Sequence, residues 1–179
     1  MISPDDKPEV EDREARRRRL LARAFSLVEI GVVVFIISLI CSIAVPQFKK
    51  SIIATRSEAV INDLRVFSAA FQQYAHDKGE WPQESSTPGV LPAGMESYLK
   101  ESSWTKPTPI GGYYTWQYMS VQNGVHVRAI LQISSGSSSE VSPDAIQLED
   151  IDRRIDDGNL DTGGFRLGYA YEPLWVIEQ

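Results

Sequence analysis

Thiols and imidazoles are nearly missing from this chain: of 179 residues, one is cysteine (Cys41) and two are histidine (His76 and His126). A single cysteine excludes an internal disulfide and any cysteine-built zinc cluster. Within its apolar surroundings Cys41 reads as a small apolar filler. The two histidines are far apart in sequence and have no partner at ligand spacing, so they read as surface or strand residues. No GxSxG elbow surrounds any serine, and no catalytic residue is assigned. Basic charge is also scarce beyond residue 24, where 11 Lys and Arg face 18 Asp and Glu without a concentrated patch. Nucleic acid is therefore not expected as a partner. The most consequential absence is of any charge at all from Ile30 to Val45.

That gap belongs to an apolar run from Phe25 to Val45, 21 residues broken only by Glu29. At ~1.5 Å per residue, about 20 residues cross a hydrocarbon core of ~30 Å. The run follows a polar leader, Met1–Ala24, that ends in Arg16–Arg19 and Arg23. Such a cluster holds its side of the membrane cytoplasmic and sends the following chain across. Glu29 is the anomaly, because a carboxylate near the centre of a spanning helix costs roughly 2.5–3.5 kcal/mol. Snorkelling to the cytoplasmic headgroups is one way to relieve that cost. An ordinary secretory signal is the bland reading of the segment, with Ser42-Ile43-Ala44 as a small-x-small cleavage site. Against it stand the long charged leader, an apolar run beyond the usual ~7–15 residues, and a helical pattern continuing past the site.

After Pro46 the apolar residues Phe48, Ile52, Ala59, Val60, Leu64, Phe67, Phe71 and Tyr74 recur mostly at steps of three and four, with polar residues between. This predicts an amphipathic helix with one buried stripe. Gly79 and Pro82 end it, so one helix is expected over 25–77. Its first half, 25–46, suits lipid or other helices, and its second half, 47–78, suits a globular partner. Pro46, at the junction, is expected to kink or locally melt it.

The remainder, 79–179, reads as a small globular head. Ala93–Lys100 is a candidate short helix. Tyr114, Trp116 and Tyr118, then Asn123-Gly124, then Val125, Val127, Ala129 and Leu131 predict a β-hairpin. Ser134–Glu140 is a flexible loop. Ile146, Leu148, Ile151 and Ile155 predict a helix from about Pro143 to Asp156, ended by Gly158. The aromatic, β-branched tail has room for one or two strands. The expected fold is α+β, with a three- or four-stranded antiparallel sheet on the amphipathic half of the long helix.

"RAFSLVEIGVVVFIISLICSIAVPQF" resembles the N-terminus of type IV pilins and of the pseudopilins of type II secretion, and "YAHDKGEWP" resembles the segment where the pseudopilin helix ends. The resemblance covers 25–82, and the head shares only the family's architecture. It implies a membrane-inserted precursor, cut between Ala24 and Phe25 by a prepilin peptidase that then methylates the Phe25 amine. Ala24 stands where the family usually has Gly. Glu29 becomes the fifth mature residue and Pro46 the twenty-second, both assembly positions. In a filament, Glu29 of one subunit would meet the positively charged Phe25 amine of its neighbour.

The implied partners are the prepilin peptidase and N-methyltransferase, membrane lipid before assembly, copies of the chain and other pilins or pseudopilins, an inner-membrane assembly platform and a secretion ATPase. The implied location is a bacterial inner membrane, single-pass, with a cytoplasmic N-terminus and periplasmic head, and then the filament. No enzymatic activity and no cofactor are implied. Pilin and pseudopilin both remain open. So does a different class, a periplasmic binding domain or enzyme on an ordinary signal or anchor. The latter requires a pocket of convergent titratable groups or a surface indifferent to Glu29.

Two further patterns read as structure. Asp157, Asn159 and Asp161 have the 1,3,5 spacing of a calcium loop. Thr162 replaces the turn glycine, however, and Gly168 replaces the bidentate Glu, so a turn and no tight metal site are expected. Tyr113, Tyr114, Trp116, Tyr118 and Trp175 are expected to fill the sheet core.

Overall fold

The computed structural model describes residues 26–179 except 86, 123, 142 and 143. Helix α1 spans Leu27–Lys78, a few residues from the expected limits at either end. It stops as anticipated, with Gly79 in the left-handed conformation (φ 75°) and its amide bonded to the Ala75 carbonyl at 2.9 Å. Pro46 lies inside α1, and the α-helix runs through it unbroken. The expected local melting does not occur. An interior proline costs about 3 kcal/mol, which the cooperative hydrogen bonding of the long helical segments on both sides offsets. The chain divides into two units between Phe48 and Lys49, and α1 contributes to both.

In the first unit the described residues are helical from Leu27 onward, and apart from half-buried Ala44 their side chains are exposed. Ser38 disposes of its hydroxyl internally, donating to the Val34 carbonyl at 2.8 Å, which suits an apolar environment.

The second unit, Lys49–Gln179, has its own core. Along α1 the buried residues are Ser57, Val60, Ile61, Leu64, Phe67 and Phe71. Phe48 and Ile52 were expected on this stripe but are exposed, because burial along α1 begins only at Ser57. The anticipated helix at Ala93–Lys100 is also replaced. A 3-10 turn, Met95–Ser97, follows left-handed Gly94 (φ 87°), and a separate four-residue helix α2, Glu101–Trp104, begins after Lys100. Lys100 is extended (ψ 118°), which re-aims the chain so that Met95, Leu99 and Trp104 all reach the core.

Strands β1 (Tyr113–Gln122) and β2 (Val125–Ser134) form the expected hairpin, with Gln122 paired to Val125 and Gly124 at φ 83° in the turn. Asn123 lies outside the described residues. Helix α3 spans Ala145–Ile155, and the side chain of its N-cap Asp144 accepts the Ile146 amide. Gly158, at φ 80°, follows its end. Pro143, the expected start, lies outside the described residues. The tail supplies β3 (Phe165–Leu167) and β4 (Pro173–Glu178). The antiparallel sheet has the order β1-β2-β4-β3.

Cross-strand pairs place Tyr114 opposite Ile133 and Trp116 opposite Leu131. All four are buried in one core with Phe67 and Phe71 of α1. Phe71 stacks on Trp116 (4.1 Å between centroids, 20° between planes), and Phe67 meets Tyr114 edge-on at 4.8 Å. The expected aromatic core is present, although Tyr113, Tyr118 and Trp175 are only half-buried. Arg154 of α3 bridges to Glu58 of α1 (2.5 Å) and to Asp150 in its own helix (3.1 Å).

Candidate functional site

The most unusual chemical surface is the first half of α1. Phe35 is 64% exposed and Ile43 72%, amid an otherwise continuous apolar exterior. This helix is long and apolar enough to cross a membrane, and its most hydrophobic 18-residue window contains no buried residue. A soluble domain does not leave so large an apolar surface to water, so the segment fits a membrane anchor.

Glu29 lies in the first turn of α1 and is exposed. Ser26, just before the helix, accepts the Val28 amide on its hydroxyl at 3.3 Å and the Ile30 amide on its carbonyl at 3.1 Å. Ser26 is therefore a helix cap, and Ser26-x-x-Glu29 has the spacing of a capping box. The pattern is visible in the sequence and supplies a local reason for Glu29 that the membrane argument overlooks. Its size decides how much it explains. First-turn acids gain about 0.3–1 kcal/mol from the helix dipole. The roughly 2.5–3.5 kcal/mol of insertion scales belongs to a carboxylate at the bilayer centre, and a first-turn position near the headgroups costs less, so the cap offsets a share of a smaller cost. Ala24 and Phe25, the other N-terminal candidates, lie outside the described residues, and Pro46 is exposed within α1.

One groove of the head is poor in titratable groups. This space of about 340 Å³ runs between α1 and β4, with Leu64, Ser68, Gln72, Trp175 and Ile177 in its walls. Arg65 is its only charged lining residue, so no acid–base pair faces it. His76 and His126 are exposed, with His76 beside Asp77 (3.4 Å).

The acidic turn after α3 is organised differently from the sequence pattern. Asp157 accepts the Asn159 amide (2.9 Å) and the Thr162 hydroxyl (2.6 Å), and Asn159 accepts the Asp161 amide (3.2 Å). These are side-chain-capped turns. Asp156 caps the amides of Gly164 and Phe165. What linear spacing missed is Asp152, which comes in from α3: one carboxylate oxygen from each of Asp152, Asp156 and Asp157 lies within 4.8 Å of the others. A signal existed. Asp152 is four residues beyond Leu148 and next to Ile151, on the apolar stripe of an amphipathic helix.

Asp152 is fully buried, and neither of its carboxylate oxygens has a hydrogen-bond partner of standard geometry. Burial, then the charges of Asp157 and Asp156, push its pKa from 3.8 up to about 6, while the neighbouring Gly158 amide works the other way. The fold thus holds this proton more tightly than the unfolded chain does. Asp152's contribution is fully present below about pH 3.8 and is lost as pH rises through about 6. The cost at neutral pH is on the order of 2–3 kcal/mol. In metal-free buffer, Asp152→Asn should therefore match wild type in urea stability near pH 4 and exceed it near pH 7. Equal stability of the two proteins across that range would refute the assignment.

A long N-terminal helix on a four-stranded antiparallel sheet is a pilin-like α+β fold. Comparison with solved structures finds the same architecture in the major type IV pilin PilA1 from Clostridium difficile, with a TM-score of 0.51 and 18% identity. The match covers 72% of this chain and 98% of that one. No protein-family model matches the chain, and no curated protein does.

Proposed function

We propose that the chain is a structural subunit of a helical filament of the type IV pilus or type II secretion pseudopilus kind, and not an enzyme. One observation carries the reading. A single helix has an exposed apolar first half with a carboxylate in its first turn, and a second half that forms the core of a pilin-like head. The apolar half inserts in the inner membrane before assembly and passes into a helix-lined filament core afterwards, while the heads tile the outside. In both settings its side chains leave water, which is the driving force the exposed surface demands. The domain assignment follows: 1–24 a leader, 25–46 the membrane and filament-core segment, 47–78 the amphipathic half, and 79–179 the head.

Maturation requires a prepilin peptidase that cuts between Ala24 and Phe25 and methylates the new amine. Assembly requires copies of the chain or related subunits, an inner-membrane platform and an ATPase. N-methylation keeps the amine cationic, so it preserves the counter-charge available to Glu29 of a neighbour. Intact-mass measurement on envelope fractions from cells carrying the peptidase should give a chain starting at methyl-Phe25. A mature chain starting at Val45 would mean an ordinary secretory signal and would end the filament reading.

A further inference from the structure

Phe48 and Ile52 lie beyond the charge-free run that ends at Val45, yet they are 69% and 50% exposed. Depth in a bilayer accounts for both. With Glu29 at the cytoplasmic headgroups, a hydrocarbon core of ~30 Å takes about 20 residues at ~1.5 Å each, from Ile30 to Lys49. The opposite headgroup layer, roughly 5–8 Å thick, takes about five more, from Lys50 to Ala54. Phe48 then falls in the core and Ile52 among the headgroups, while Lys49 reaches outward along its own methylenes.

The segment at that depth lines a hollow. A space of about 480 Å³ lies between α1 and α3, walled by Lys50, Ile53 and Ala54 from α1 and by Ile146, Glu149 and Arg153 from α3. Asp150 and Arg154 also border it, but they are bonded to each other (3.1 Å), and Arg154 to Glu58 (2.5 Å). Three charges remain for a ligand. Lys50 has no ion pair among the described residues. Arg153 approaches Glu149 only to 3.9 Å, with both side chains more than half exposed. Ile146, 68% exposed, adds an apolar surface that the packing of α3 leaves uncovered.

We propose that this hollow seats the headgroup of one amine-bearing phospholipid, drawn from the leaflet in which α1 leaves the membrane. The assignment rests on the membrane-inserted precursor of the filament reading. Lys50 and Arg153 hold the phosphate, Glu149 accepts the ammonium, and Ile53, Ala54 and Ile146 meet the glycerol and the first acyl carbons. Charge complementarity selects this class of lipid. A glycerol headgroup offers Glu149 no cation, and a choline headgroup carries its charge under methyl groups, with no N–H to donate. An ethanolamine headgroup supplies both a phosphate for the two cations and N–H donors for the carboxylate.

The test is native mass spectrometry of the full-length chain in detergent micelles, with phosphatidylethanolamine, phosphatidylcholine or phosphatidylglycerol added in equal amounts. Wild type should retain one phosphatidylethanolamine at least about threefold more than either other lipid, the scale of one exposed ion pair. Glu149→Gln should bring the ethanolamine and choline lipids level, and Lys50→Gln should weaken retention of all three. Both side chains are exposed, so the fold should survive either change. All four tryptophans (Trp81, Trp104, Trp116 and Trp175) lie in the head, and their fluorescence should give an unchanged Tm in lipid-free micelles. Equal retention of the three lipids by wild type would overturn the proposal. So would an ethanolamine preference that survives in Glu149→Gln, or phosphatidylglycerol bound best, which marks a plain basic surface. None of these outcomes would touch the filament reading, which is tested by the mature N-terminus. A mature chain starting at Val45 would end that reading whatever lipid the precursor retains.

Discussion

Glu29→Ala and Glu29→Gln should each abolish filaments while leaving processed protein in the membrane at wild-type amounts. Only the first measurement moves, for a physical reason. Removing a carboxylate from an apolar helix lowers the cost of insertion, so a plain anchor would be unharmed or improved. The loss of the Ser26-x-x-Glu29 cap costs at most about 1 kcal/mol in a helix of 52 residues, too little to unfold it. Assembly differs, because in the proposed filament Glu29 meets the Phe25 amine of a neighbour in a dry bundle. Removing one partner of such a pair strands the other charge and costs ~3–5 kcal/mol, and the cost is repeated at every subunit. Gln keeps the shape and loses the charge, so the neighbour's positive amine is left without a counter-ion in the dry bundle. The readouts are filament yield in sheared fractions and the amount of cleaved protein in membranes. Wild-type filament yield from both variants would sink the pairing account and restore Glu29 as a carboxylate snorkelling to the headgroups.

The parts of the fold that the sequence made legible are those whose signal is local. Thirteen turns or more of α1 follow from a charge-free run joined to three- and four-residue spacing, at ~3.6 residues per turn. The β1–β2 hairpin follows from alternation around Asn123-Gly124, and α3 from Ile146 to Ile155 with a glycine after it. Features that depend on distant partners were hidden. Nothing near Pro173 indicates that β4 inserts between β2 and β3. Phe48 and Ile52 have the right spacing for a buried stripe, yet spacing cannot tell where the covering head begins. The break at Lys100 serves the simultaneous burial of Met95 and Trp104, which only the packed core reveals. At the candidate sites, Glu29 and Pro46 stood out by type and position. Asp152 did not, because an acid among Leu148, Ile151 and Ile155 resembles an ordinary interruption until its partners arrive from the following loop.

Phe71→Ala should be the most damaging single substitution to the head described here, costing about 3–5 kcal/mol of unfolding free energy. Phe71 is 0% exposed, stacks on Trp116 of β1, and lies 5.5 Å from Trp104 of α2. It therefore joins the helix to the sheet and to the 79–112 connection at one point. Truncation removes the transfer free energy of the ring and leaves a cavity that the surrounding indoles cannot collapse into. The Trp116 indole is held by its hydrogen bond to the Pro82 carbonyl at 2.9 Å. A domain with ~5–15 kcal/mol of total stability loses a large share of it. At a mid-range urea slope of ~2 kcal/mol per molar, the unfolding midpoint should fall by roughly 1.5–2.5 M. Val66→Ala, on the exposed side of the same helix stretch (49% exposed), should shift stability by no more than about 0.5 kcal/mol. Trp104 and Trp116 both touch Phe71, so their fluorescence reports the transition directly. A Phe71→Ala midpoint within 0.3 M of wild type (about the Val66→Ala effect at a mid-range slope) would mean that this aromatic stack does not hold α1 to the sheet. Filament loss in this variant should come with loss of folded head, whereas Glu29 variants should lose filaments with the head's urea midpoint unchanged. That difference separates a subunit that cannot fold from one that folds and cannot pair.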